Sequence, residues 1–184
     1  MIAKKILKRE KNIMKFVFAK KYRNTKNINV VFQNRLPLLE GKYFFKLAAK
    51  NTYRVFLNDE LFHYGPSRSA NDYLQEDQLE IDLKNPLNYI SIEVVGHNIN
   101  SYYFADEKPL FAIELYKEQK LLLNTDDFDC FLLNDRTIKI QRYSFQRDFA
   151  ESYVQKVDRS LFYLGNKQLF PQIELKEVKE PIVI

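Results

Sequence analysis

Three stretches of the chain concentrate side chains that can grip a polar ligand. Arg68, Asn71, Asp72 and Tyr73 fall in PSRSANDYLQ, residues 66–75. Asn98, Asn100, Ser101, Tyr102 and Tyr103 fall in HNINSYYFADEKP, residues 97–109. Arg142 and Arg147 sit with Tyr143 and Gln146 in a third patch, IQRYSFQRDFAESY. Rings, amides, guanidinium groups and carboxylates offer donors, acceptors and flat apolar faces. The same residue types also dominate protein–protein contacts, so ligand binding and domain docking both remain open on composition.

Covalent chemistry finds less support. His63 and His97 are the two histidines, and neither has a nucleophile and an orienting acid nearby in sequence. The chain carries no G-x-S-x-G elbow, P-loop or dinucleotide fingerprint. Its one cysteine, Cys130, lies in the apolar run FDCFLL and reads as a buried, inert thiol. One cysteine and two histidines are too few for a usual zinc site. Asp126, Asp127 and Asp129 could hold calcium through hard oxygens, with Asp72, Glu76 and Asp77 a weaker case. Aspartates are common at turns for backbone reasons, however, so no metal or other cofactor is expected.

These residues need strands to position them. Tyr53–Gly65, YRVFLNDELFHYG, alternates Tyr53, Val55 and Leu57 with Arg54, Phe56 and Asn58, and Asn58-Asp59 supplies a two-residue turn. Leu61, Phe62 and Tyr64 carry the chain back. Further strands are predicted at residues 28–33, 42–49, 78–83, 89–96, 110–116, 121–123, 128–133 and 137–140. The stretch 15–20 reads as a short strand or extended arm. Many short strands without alternating helices predict an all-β fold, an antiparallel jelly-roll-like β-sandwich. Residues 141–157 have roughly helical apolar spacing, so a short helical or extended C-terminal segment should follow the sandwich.

The chain has 184 residues, room for one sizeable domain, and at 46% hydrophobic it is far too apolar for disorder. Its net charge of +5 is unevenly spread. Residues 1–27 hold ten Lys or Arg and one acid, and the remainder is net acidic. A basic leader could bind nucleic acid, but it lacks interleaved aromatic platforms, and a solvated terminal segment is the simpler reading. No stretch is apolar for long enough to span a bilayer or form a signal peptide. The expectation is a cytoplasmic protein with neither nucleic-acid nor membrane partners. The domain plan is a leader over 1–27, a sandwich over 28–140 and a linker or docking segment over 141–184.

With the strands in order, residues 28–153 resemble the N-terminal, galactose-binding-like β-sandwich region of bacterial alpha-L-rhamnosidases. Three blocks carry the resemblance: YRVFLNDELFHYGPSR, the run from Leu79 to Asn100 leading into GHNINSYYFADEKPLFAIEL, and IQRYSFQRDFAESY. The resemblance implies a glycoside hydrolase whose catalytic acids lie in a large helical barrel downstream. A chain of this length cannot hold both sandwich and barrel, so no catalytic residue carries over. The chain is then a fragment of such an enzyme or a free-standing relative of its accessory domain. The implied role is a non-catalytic accessory domain that supports the catalytic domain, its expected partner, with the residues named above serving either docking onto that domain or the binding of rhamnose-containing carbohydrate. The alternative is a structural or protein-interaction module without sugar affinity. Oligomeric state stays open.

Overall fold

The computed structural model describes residues 14–36, 40–67, 69, 73–84, 88–99, 107–136, 171–178 and 182–183. The strands are β1 (Val17–Ala19), β2 (Ile28–Leu36), β3 (Gly41–Lys50), β4 (Tyr53–Leu57), β5 (Glu60–Gly65), β6 (Tyr73–Leu74), β7 (Glu76–Leu83), β8 (Asn88–Gly96), β9 (Leu110–Lys117), β10 (Lys120–Asn124), β11 (Asp129–Leu132), β12 (Leu175–Glu177) and β13 (Ile182–Val183). Among the described residues the one helical element is a 3-10 turn, Thr125–Asp127. The first sheet runs β12-β1-β9-β3-β7, with β10 also paired to β9; the second runs β11-β2-β8-β4-β5. Every pairing within these two sheets is antiparallel. The molecule is a β-sandwich, as the alternation of short strands requires.

Turn chemistry sets the registers. Asn58 and Asp59 both take positive φ, 49° and 74°, which matches the right-handed twist of the strands they join. Glu118 and Gln119 adopt the same conformation, φ 49° and 68°, between β9 and β10. Neither is a favoured residue there, and the pairing of Lys117 with Lys120 holds the turn closed.

Alternation then fills the core. Val30 and Phe32 of β2, Tyr53 and Val55 of β4, and Ile90, Ile92 and Val94 of β8 point inward. They meet Phe45 and Leu47 of β3 and Phe111, Ile113 and Leu115 of β9. The Phe32 and Phe111 rings lie 4.5 Å apart, centre to centre, and join the two layers. Cys130 is buried in the same core; burial pushes its thiol pKa up and keeps it protonated and unreactive.

The central strands β2 and β8 of the second sheet are buried on their outer side as well. Gln33, Ser91 and Glu93 are only 1–3% exposed. Gln33 donates to the Ser91 hydroxyl at 3.2 Å, and Glu93 pairs with Arg54 at 2.9 Å. Beside them Val31, Phe131 and Leu133 form a small apolar cluster.

The domain plan needs correction at both ends. Residues 14–19 are not a solvated leader. Met14, Phe16, Val17, Phe18 and Ala19 are buried, and β1 pairs with both β9 and β12. The lysines that made this stretch look solvent-borne lie at its margins, where Lys15 pairs with Asp126 and Lys20 with Glu174. Residues 171–178 also belong to the sandwich. Gln172 bridges to Phe131 of the second sheet, and β12 continues into the first. The strand predicted at 137–140 and the helical spacing of 141–157 lie outside the described residues.

If β1 is part of the core, Phe18→Ala should lower stability by about 3–5 kcal/mol. Urea unfolding would show this as a lower midpoint, and an unchanged midpoint would restore the solvated leader.

Candidate functional site

Hydrogen-bond register shows where the two candidate loops begin. Gly65 at the end of β5 pairs with Tyr53, Tyr53 pairs with Val94 of β8, and Val94 pairs with Val30. The chain beyond Gly65 and the chain beyond Gly96 therefore leave the same end of the second sheet, two strands apart, or about 10 Å. The far side of the second loop returns to that end. Lys50 pairs with Glu107 at 3.0 Å, and Asn51 donates to the Glu107 carbonyl at 3.3 Å.

Two of the predicted site residues are described. Tyr73 is 40% exposed on β6, while its neighbour Leu74 is buried in the core. Asn98, a candidate for carbohydrate binding or domain docking, is turned inward and 5% exposed. Its amide donates to the Arg23 and Thr25 carbonyls at 2.9 and 2.7 Å, and its φ of 49° is one that asparagine tolerates. Asn98 thus ties the 20–27 turn to the end of β8. Arg68, Asn71, Asp72, Asn100, Ser101, Tyr102, Tyr103, Arg142 and Arg147 lie outside the described residues.

A polar cluster that sequence reasoning missed lies at this end, between the edge strands β5 and β7. Tyr53 reaches across from β4 and donates its hydroxyl to Asp77 of β7. His63 of β5 is 4.0 Å from the same carboxylate, with its ring 5.9 Å from that of Tyr53. Burial, then the bond to Asp77, raises the Tyr53 pKa, so its proton stays available for donation. Gly65 makes the approach possible. A Cβ there would lie 2.5 Å from the Tyr53 ring and 2.7 Å from the Asp77 carboxylate. The cluster links the edges of the two sheets, β5 and β7, through side chains. Its signal in sequence was faint, because Tyr53 and Asp77 come from different sheets, 24 residues apart.

Four further acids and His97 are engaged in the fold. Asp127 caps the 3-10 turn by accepting from the Asn124 amide at 2.8 Å, and Asp126 pairs with Lys15. Glu76 pairs with Lys46 at 3.7 Å, and Glu114 accepts from the Tyr116 hydroxyl at 2.6 Å. Among the described residues, no three His, Cys, Asp or Glu side chains gather as metal ligands. His97 is 1% exposed and lies 3.2 Å from the Thr52 hydroxyl. Burial, followed by the nearby Arg136 charge, lowers its pKa to about 3.

No protein-family model matches the chain, and no curated protein matches it. Solved structures match it in fold. A GH78 family rhamnosidase of Bacillus sp. GL1 aligns with a TM-score of 0.59 and 20% identity, over 67% of this chain and 14% of that chain. An alpha-L-rhamnosidase of Aspergillus terreus aligns with a TM-score of 0.55 and 10% identity, over 92% of this chain and 22% of that chain. The sandwich has the fold of a part of these rhamnosidases. This chain spans less than a quarter of the length of either, and at these identities the likeness is one of fold. Among the described residues no helix is long and apolar enough to cross a membrane.

Two measurements test this end of the sandwich. Tyr53→Phe leaves Asp77 without its donor and should cost about 1–3 kcal/mol in urea unfolding; an unchanged midpoint would make the clasp energetically idle. For His97, the unfolded imidazole titrates near 6.5 and the folded one near 3. Between those values the unfolded state binds the extra proton. The stabilisation is complete above pH 6.5 and is lost as pH falls toward 3, a span worth on the order of 3–5 kcal/mol. Unfolding midpoints should fall from pH 7.5 to pH 4, and less steeply in His97→Gln.

Proposed function

We propose that this chain is a non-catalytic accessory β-sandwich of an alpha-L-rhamnosidase-like glycoside hydrolase. It supports the catalytic domain and binds carbohydrate. The observation that carries this reading is the fold shared with a 14% and a 22% portion of two rhamnosidases. A part of that size leaves most of either enzyme without a counterpart in this chain. Inverting hydrolysis of a glycoside needs two carboxyl groups about 6.5–9.5 Å apart across the bond, one as acid and one as base. Here Asp77, Glu93, Glu114 and Asp126 are each committed to a tyrosine, arginine or lysine of the fold. The catalytic domain is then the partner, and rhamnose-containing carbohydrate is the ligand class.

The rival reading is an interaction module without sugar affinity. The inward turn of Asn98 favours it, since the amide of this candidate residue is used by the backbone.

Calorimetric titration with L-rhamnose and with rhamnose-containing oligosaccharides separates the two. Saturable heat in the millimolar range or below, with no glycoside turnover, is the expected result. Absence of heat with every sugar would leave the interaction module. Tyr73→Ala and Tyr102→Ala variants would show whether the loops take part.

A further inference from the structure

The β4–β5 margin of the second sheet carries exposed side chains that the fold does not use. Tyr64 is 58% exposed, Leu61 59% and Phe62 39%. Tyr64 is the cross-strand partner of Arg54, and Arg54 is the partner of Glu93, so the three lie in one row on the outer face. The Arg54 side chain is one-quarter exposed, and its guanidinium lies 2.9 Å from the carboxylate of Glu93, whose side chain is 2% exposed. In the next row Leu61 lies opposite Phe56. A bulge puts Leu61 and Phe62 against Phe56 alone, which bends the edge.

An exposed ring cross-strand from an arginine that pairs with a buried carboxylate is suited to a small polyhydroxylated ligand. The ring can cover an apolar C–H face, while the guanidinium donates to hydroxyls in a fixed fork. The area argues against a protein partner. The exposed parts of Tyr64, Leu61 and Phe62 sum to roughly 300 Å², whereas a stable protein interface takes about 800 Å² from each partner. One pyranose ring needs much less.

We propose that this margin is a carbohydrate subsite, in which Tyr64 stacks on a pyranose ring, Arg54 donates to its hydroxyls and Glu93 positions Arg54. The subsite rests on the carbohydrate-binding reading above and is built from residues of β4, β5 and β8. Glu93 acts through Arg54 and does not touch the sugar.

The test is titration of the full chain with L-rhamnose and rhamnose-containing oligosaccharides in Tyr64→Ala, Tyr64→Phe and Arg54→Lys variants, with Tyr102→Ala for comparison. The expected result is at least a tenfold loss of affinity in Tyr64→Ala, retention in Tyr64→Phe, and a several-fold loss in Arg54→Lys. The urea midpoint of Tyr64→Ala should stay close to that of the parent, because the ring is exposed. Sugar binding that survives Tyr64→Ala but falls in Tyr102→Ala would overturn the subsite and leave the accessory reading standing. No binding by the parent chain would overturn both. Self-association of the parent that disappears in Tyr64→Ala, seen by sedimentation without any sugar effect, would make the margin a protein contact and also overturn the proposal.

Discussion

The contact between Phe32 and Phe111 is the join on which the other features depend. Each ring belongs to a different sheet, and their meeting sets how the layers face one another. Hydrogen bonds within a sheet fix only the neighbours of a strand; they do not hold one sheet against another. That work falls to buried apolar area, at about 25 cal/mol for each Å² removed from water. Once the layers are held, the same registers bring Tyr53 over Asp77 and send the chain beyond Gly65 and Gly96 out of one end. Neither arrangement requires additional specification.

The open sides of the sandwich are closed by different means. On one side residues 171–178 cross from β11 to β1, so backbone pairing seals the gap. On the other, β5 and β7 remain edges, and side chains do the sealing through Tyr53, Asp77 and His63. Covering an edge with chain hides its unpaired backbone groups. A polar clasp leaves the edge accessible, and the exposed row of Leu61, Phe62 and Tyr64 lies on that accessible side.

Much of this was legible in the sequence because it is local. Alternation at Ile90, Ile92 and Val94 and the turn at Asn58-Asp59 each depend on a few neighbouring residues, and both appear as read. The short strand within residues 15–20 was also visible, but its membership of the core was not. Phe16 and Phe18 sit among lysines, and charge density suggested solvent. What placed them inside was pairing with residues more than 150 positions away, which no window detects. The same limit hid the partnership of Tyr53 with Asp77. At Asn98 the residue type was suggestive and the backbone decided otherwise, because asparagine suits a left-handed turn as well as it suits a ligand. Tyr64 was read as a strand residue of the hairpin; its exposure depends on which strand happens to be the edge.

The pairing of Val17 with Glu177 also bears on the order of assembly. The β4–β5 and β9–β10 hairpins close over two residues and can form as soon as their strands exist. The β1–β12 pair must close nearly the whole chain, and loop-closure entropy places such contacts late. Until it forms, Phe16 and Phe18 have only part of their cover, and the edge of β1 that β12 occupies stays open. A ribosome-bound chain would therefore hold a hairpin-rich intermediate with one unfinished edge, and the last few residues of the sandwich would convert it into a closed domain.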